Sequence, residues 1–146
     1  MANDHRLATA LEVAERAEQE SARILAQCRG RLAAQRMKVD GLKNFLADYS
    51  TEYRDLLGQV VSAHSLGARW HFISRLNDAI GHEEEGLARL RAEFALCTQQ
   101  WTSARSHAEG LRKLRQRDIE HQLRVDGRRE QAAMDEFGRG VVRRAT

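Results

Sequence analysis

The sequence contains no proline, only two cysteines and few aromatic residues, which make up 5% of its 146 residues. Without proline nothing in the chain forces a helix to kink or stop, so long uninterrupted helices are permitted. So few aromatics argue against a compact globule built around large core side chains, and abundant Ala, Leu, Glu, Arg and Gln favour helix instead. No apolar run approaches the length of a membrane span. The N-terminal MANDHRLATALEVAE lacks the apolar stretch of a signal peptide, so the expected location is the cytosol. The cysteines, Cys28 and Cys97, form no C-x-x-C pair, which argues against a structural zinc site and for reduced, buried thiols. Charge of one sign is also scarce: 24 Lys and Arg stand against 21 Asp and Glu, leaving +3. That excess is too small to argue for nucleic acid as a partner.

What the sequence does contain is a seam. Stepping alternately by four and three from Leu7 gives Leu7, Leu11, Ala14, Glu18, Ser21, Leu25, Cys28, Leu32, Gln35, Val39, Leu42, Leu46, Tyr49, Tyr53, Leu56 and Val60. All but Glu18, Ser21 and Gln35 are apolar or aromatic. A 3.5-residue period held over about eight heptads predicts a coiled-coil helix, because an ordinary amphipathic helix drifts off that register. The pattern stops at SAHSLGA, residues 62–68, where Ser65 can cap a helix and Gly67 loosens the backbone. A second seam follows: Ile73, Leu76, Ile80, Glu83, Leu87, Leu90, Phe94, Cys97, Trp101, Ala104, Ala108 and Leu111, interrupted only by Glu83.

The prediction is therefore an all-α fold, a long antiparallel two-helix coiled-coil hairpin with a C-terminal helical overhang. It forms a single domain over 1–146, with helix 1 at about 4–61, the turn at about 62–68 and helix 2 at about 69–140. Its length would be on the order of 90 to 100 Å. Folding the chain at residues 64 and 65 sets Tyr49 opposite Ile80, Leu42 opposite Leu87, Gln35 opposite Phe94, Leu32 opposite Cys97 and Cys28 opposite Trp101. In that register the two cysteines are about a helical turn apart, and no disulfide is expected. Past Leu111 the seam decays at Arg115, Asp118 and Gln122. Leu123, Met134, Phe137 and Val141 then continue an apolar stripe that no residue of the first helix is left to cover.

Catalytic chemistry is not visible. An active site needs convergent groups in a concave pocket. HEEEG at 82–86 lacks the second histidine of a zinc motif, since that place is Gly86. No phosphate-binding glycine loop or nucleophile motif is present, so neither an enzyme nor a cofactor is expected. The arginines of RKLRQR at 112–117 and GRRE at 127–130 alternate with acids, as on a solvated, ion-paired helix face. Tyr49 and Tyr53 fit the seam, yet tyrosine fills a narrow two-stranded interface poorly because its hydroxyl must reach water or a partner. With Leu46, Phe72, Leu76 and Ala79 they widen the apolar band near the turn into a contact surface.

Four segments carry a resemblance: YSTEYR at 49–54, the Arg69–Trp70 pair, FISRLNDAIGH at 72–82 and QAAMDEFGR at 131–139. Together, in this order and over nearly the whole chain, the sequence resembles the FliJ family, small coiled-coil components of the bacterial flagellar protein export apparatus. The resemblance implies a non-catalytic stalk, similar to the shaft subunit of rotary ATPases. Such a stalk binds the hexameric export ATPase, FliI, and promotes its ring assembly and activity. It also engages the membrane export gate, FlhA, and substrate chaperones. It implies an ATPase contact at Met134, Asp135, Glu136 and Phe137, and a gate contact at Leu46, Tyr49, Tyr53, Phe72, Leu76, Ala79 and His82. The implied location is cytoplasmic and peripheral, at the inner face of the membrane at the flagellar base. The alternatives are the equivalent stalk of a virulence type III secretion system, a generic coiled-coil scaffold, and a nucleic-acid-binding helical hairpin.

Overall fold

A computed structural model describes residues 2–145. They form two helices, α1 (Ala2–Leu57) and α2 (Ala63–Ala145). The fold is the expected all-α helical hairpin. The contacts between the helices fall into two units: Glu20–Thr102, and the chain up to Gln19 together with the chain from Ser103 onward.

The turn is shorter and earlier than the sequence suggested. Gly58 follows the last residue of α1, whose end is closed by the Gln59 amide donating to the Leu56 carbonyl at 3.1 Å. Val60 and Val61 then carry the chain across, and the cap of α2 is Ser62. The Ser65 amide donates to Ser62 Oγ at 3.2 Å, and the Leu66 amide makes the first helical bond to the Ser62 carbonyl at 3.1 Å. Ser65 and Gly67, the expected cap and breaker, lie inside α2. Either serine can cap a helix, but a cap must itself lie outside it. Gly58 and two β-branched residues end α1 early enough for Ser62 to take that place.

In the unit Glu20–Thr102 the helices run antiparallel. Phe45 and Tyr49 lie against Phe72 near the turn, and Arg31 meets Glu93 farther from it. The buried side chains are Leu25, Cys28 and Val39 from α1 and Leu76, Ile80, Leu87 and Cys97 from α2. All belong to the expected seams, so the 3.5-residue period identified the inward face. The facing partners differ from expectation. Gln35 does not meet Phe94. Its Nε2 donates to the Glu83 carbonyl at 3.0 Å and to Glu83 Oε2 at 2.6 Å, and Lys38 Nζ lies 3.0 Å from Glu83 Oε1. Gly86 makes room for this, since a Cβ there would stand 3.3 Å from Gln35 Nε2. Cys28 and Cys97 share one core cluster with Leu25, against which Ile24, Phe94 and Trp101 pack, rather than sitting a turn apart. The shift follows from the earlier turn, which moves every opposed pair by about a heptad near the loop.

In the other unit Leu11, Ala14 and Ala108 are buried. Arg112 bridges Glu15 at 3.2 Å and Glu18 at 2.7 Å. Asn3 and Asp4, at the start of α1, line a surface depression with Asp118, His121 and Gln122. Beyond that level α2 continues alone, and every residue from Asp126 to Ala145 is exposed. This is the overhang expected from the decay of the second seam.

The packing around glycines separates two substitutions. Nothing lies within 4 Å of a Cβ at Gly81, whereas a Cβ at Gly86 crowds Gln35. Gly81→Ala is expected to raise unfolding free energy by about 0.5–1 kcal/mol, the helix-propensity gain. Gly86→Ala is expected to gain less or to lose. Urea denaturation of both variants checks this, and equal gains would contradict the placement of Gln35.

Candidate partner-binding surfaces

The residues expected at the gate contact lie in the unit Glu20–Thr102 and divide into two groups. Leu76 is buried at 9% exposure and belongs to the core, so it supports the surface from beneath rather than forming it. Leu46, Tyr49 and Tyr53 are half-buried, while Phe72, Ala79 and His82 are exposed. Phe72, Ala79 and His82 follow one another at intervals of seven and three along α2, which places them on one flank of the helix.

The structure brings Tyr49 and Phe72 together, with ring centroids 4.9 Å apart and planes tilted by 58°. Phe45 joins them, stacked on Tyr49 at 6.1 Å and edge-on to Phe72 at 6.3 Å. These separations lie within the range of favourable aromatic pairs. Sequence reasoning did not single out Phe45, which lies one place off the seam before Leu46. The signal was its spacing of four from Tyr49, which stacks two aromatics on one helix face. Phe45 is 51% exposed, and Trp70, two residues before Phe72 in α2, is 59% exposed. Tyr53 shares no ring contact with the three. The result is a tyrosine and two phenylalanines joined across two helices, open to solvent on one side.

Around this apolar face the flanks carry charge. Lys43 reaches Glu84 at 2.7 Å, and farther along the hairpin Arg31 reaches Glu93 at 2.7 Å. The hydrogen bond to Glu84 holds the Lys43 ammonium above its ordinary range. Hydrogen bonds from Gln35, then from Lys38, hold the Glu83 carboxyl below the usual carboxylate range. Exposed pairs of this kind contribute little stability one by one. Their chemical effect is to leave these charges satisfied within the chain.

The second expected site lies on the lone part of α2. Met134 is 70% exposed and Phe137 75%. Leu123, Val141 and Val142 are also exposed. The Gln131 amide donates to Asp135 at 3.3 Å along the helix. Successive residues of an α-helix turn by about 100°, so Met134 and Phe137 share one side and Asp135 and Glu136 occupy the other. The acidic side is flanked by Arg129 and Arg139, which line a shallow depression with Ala132, Ala133, Asp135 and Glu136. Met134–Phe137 therefore do not form one flat patch. A partner that touches all four has to surround the helix.

No three His, Cys, Asp or Glu side chains come together to hold a metal ion among the described residues. None of the described helices is long and apolar enough to cross a membrane.

These surfaces sit on a fold and a sequence with known relatives. Residues 3–146 match the family model for the flagellar FliJ protein. The chain is 27% identical to the flagellar FliJ protein of Escherichia coli (strain K12) over 150 aligned residues, covering 99% of this chain and 98% of the relative. It is 26% identical to the flagellar FliJ protein of Salmonella typhi at the same coverage. The fold is also that of CT670 from Chlamydia trachomatis, described as a YscO homolog. The TM-score there is 0.71 at 16% identity, over 95% of this chain and 90% of that one. A match across essentially the whole chain, together with the helical hairpin and its lone C-terminal helix, establishes that this chain belongs to the FliJ family of flagellar proteins.

Proposed function

We propose that this protein is the non-catalytic stalk of the flagellar type III protein export apparatus. In this reading its lone C-terminal helix enters a hexameric export ATPase of the FliI kind and promotes ring assembly and ATP hydrolysis. The aromatic face near the turn engages an export gate of the FlhA kind, and substrate chaperones use the same hairpin. The protein acts on the cytoplasmic side of the membrane at the flagellar base, held there by its partners. Family membership supports a role in flagellar protein export.

The observation that carries the ATPase assignment is the stretch 126–145 of α2, every residue of which is exposed. A lone helix with apolar side chains on one side and ion-forming ones on the other presents different chemistry in every direction. Inside a symmetric ring it meets each subunit unequally. Unequal contact biases the conformations of identical subunits, so binding alone is enough to regulate a hydrolase that carries its own active sites. Catalytic groups on the stalk are unnecessary.

The test is the ATP hydrolysis rate of the cognate export ATPase titrated with this protein. Stimulation is expected to saturate at about one chain per ring. A Met134→Ala, Phe137→Ala double variant is expected to need at least about tenfold more protein for the same effect, as for anchors that fill pockets. Absence of stimulation from an ATPase competent on its own would sink the stalk-in-ring mechanism.

The gate contact has a separate test. Tyr49→Ala combined with Tyr53→Ala is expected to leave helicity intact, because both side chains are only half-buried. Binding to the isolated cytoplasmic domain of the gate is expected to weaken about tenfold or more. Loss of helical circular dichroism in the variant would show instead that the tyrosines serve the core.

A further inference from the structure

The two cysteines are the only thiols in the chain, and the seam brings them together from opposite helices. Cys28 is 2% exposed and Cys97 7%, and both are free. They belong to one core cluster in the unit Glu20–Thr102, separated in sequence by the whole turn and much of both helices. The neighbouring Cys28 sulfur, toward which the Cys97 S–H is directed, and burial raise the Cys97 thiol above its ordinary range. Arg31 Nη2 donates to Cys28 Sγ at 3.5 Å, and the same guanidinium is held by Glu93 at 2.7 Å. The thiolate is the nucleophile in thiol oxidation, and Cys28 is the sulfur with a guanidinium beside it. Packing alone would ask only for two small apolar side chains. It would not ask for a guanidinium anchored on one of them and for the second sulfur beside the first.

We propose that Cys28 and Cys97 form a redox-modification site that joins α1 to α2 by an intrachain disulfide on exposure to hydrogen peroxide or a related small peroxide. The Cys28 thiolate attacks a peroxide oxygen, the O–O bond breaks, and hydroxide leaves with the proton that the thiol gave up, forming water. Cys28 is then a sulfenic acid. Cys97 sulfur attacks the Cys28 sulfur, the S–O bond breaks, and the Cys97 proton leaves with the hydroxyl as a second water. Two thiols and one peroxide give one disulfide and two waters, and a dithiol reductant reverses the link. Because both cysteines lie in one core cluster and come from opposite helices, the second step needs no sliding of one helix along the other. The cross-link holds the seam in its present register at the core layer farthest from the turn in this unit. It closes a long loop and so constrains the unfolded chain.

The experiment uses the full-length protein, reduced and desalted under anaerobic conditions, then exposed to a hydrogen peroxide series and quenched with catalase. The protein is next unfolded in guanidinium with an alkylating reagent and weighed intact, and its tryptic peptides are mapped. The expected product is a monomer that takes up no alkyl group, has lost two hydrogens, and yields one peptide pair linking Cys28 to Cys97. Its thermal midpoint is expected to rise, and a dithiol reductant to return it to the starting value. Cys28→Ser and Cys97→Ser single variants are expected to give no intrachain link. Recovery of two alkylated thiols after peroxide treatment would overturn the proposal. So would oxygen addition without a link, or disulfides only between chains. The mass measurement decides on the unaltered protein, so the outcome does not depend on either variant folding.

Discussion

The side-chain amide of Gln35 lies in the seam and spends its hydrogen bonds on Glu83. The rest of the unit Glu20–Thr102 depends on that pairing. An apolar seam with a heptad repeat is nearly degenerate: slide one helix by seven residues and leucines still meet leucines. A polar group inside it removes the degeneracy, because any other alignment sets the amide against apolar side chains and strands the carboxylate. Lys38 secures the far oxygen of Glu83, and Gly86 leaves space for the amide. Once Gln35 faces Glu83, the aromatic rings of Phe45, Tyr49 and Phe72 meet on one side of it, and the two cysteines meet on the other. One polar layer thus specifies both an exposed apolar surface and a buried thiol pair.

The unit at the chain ends follows the same logic. Glu18 interrupts the first seam, and it is drawn to Arg112 just past the last apolar residue of the second. Beyond Arg112 the second helix offers Arg115, Asp118 and Gln122 where apolar residues would be needed to bury a partner helix. The apolar seam ends there for a chemical reason. The helix that continues alone has polar side chains that bond along it, as Gln131 does to Asp135. Such contacts keep a helix soluble without a core and leave Met134 and Phe137 with no neighbour of their own chain to cover them.

Much of this was legible in the sequence. The four-and-three stepping named the inward face of both helices: every described member of the two seams except Val60 is at least half-buried. The decay of the second seam announced the lone C-terminal helix. The facing partners were not legible by that route. Register depends on where the turn falls, and two serines three residues apart could each have capped the second helix. Gly58 with Val60 and Val61 decided for Ser62, and the pairing near the loop moved with it. A different reading of the same letters would have found the answer. Gln35 and Glu83 are the central exceptions in two otherwise apolar seams, and an amide and a carboxylate in such positions call for each other. Phe45 was overlooked because it stands beside the seam rather than in it, and only the fold shows that its neighbour across the helices is Phe72.

The central claim is that the Gln35–Glu83 layer sets the alignment of the two helices. Its most direct test is through-space NMR from the Gln35 side-chain amide protons in uniformly labelled protein. The alignment described here predicts cross-peaks to Glu83 and to the Hα protons of Gly86. Cross-peaks from that amide to the ring of Phe94, without those to Glu83 and Gly86, would restore the later turn and contradict the account.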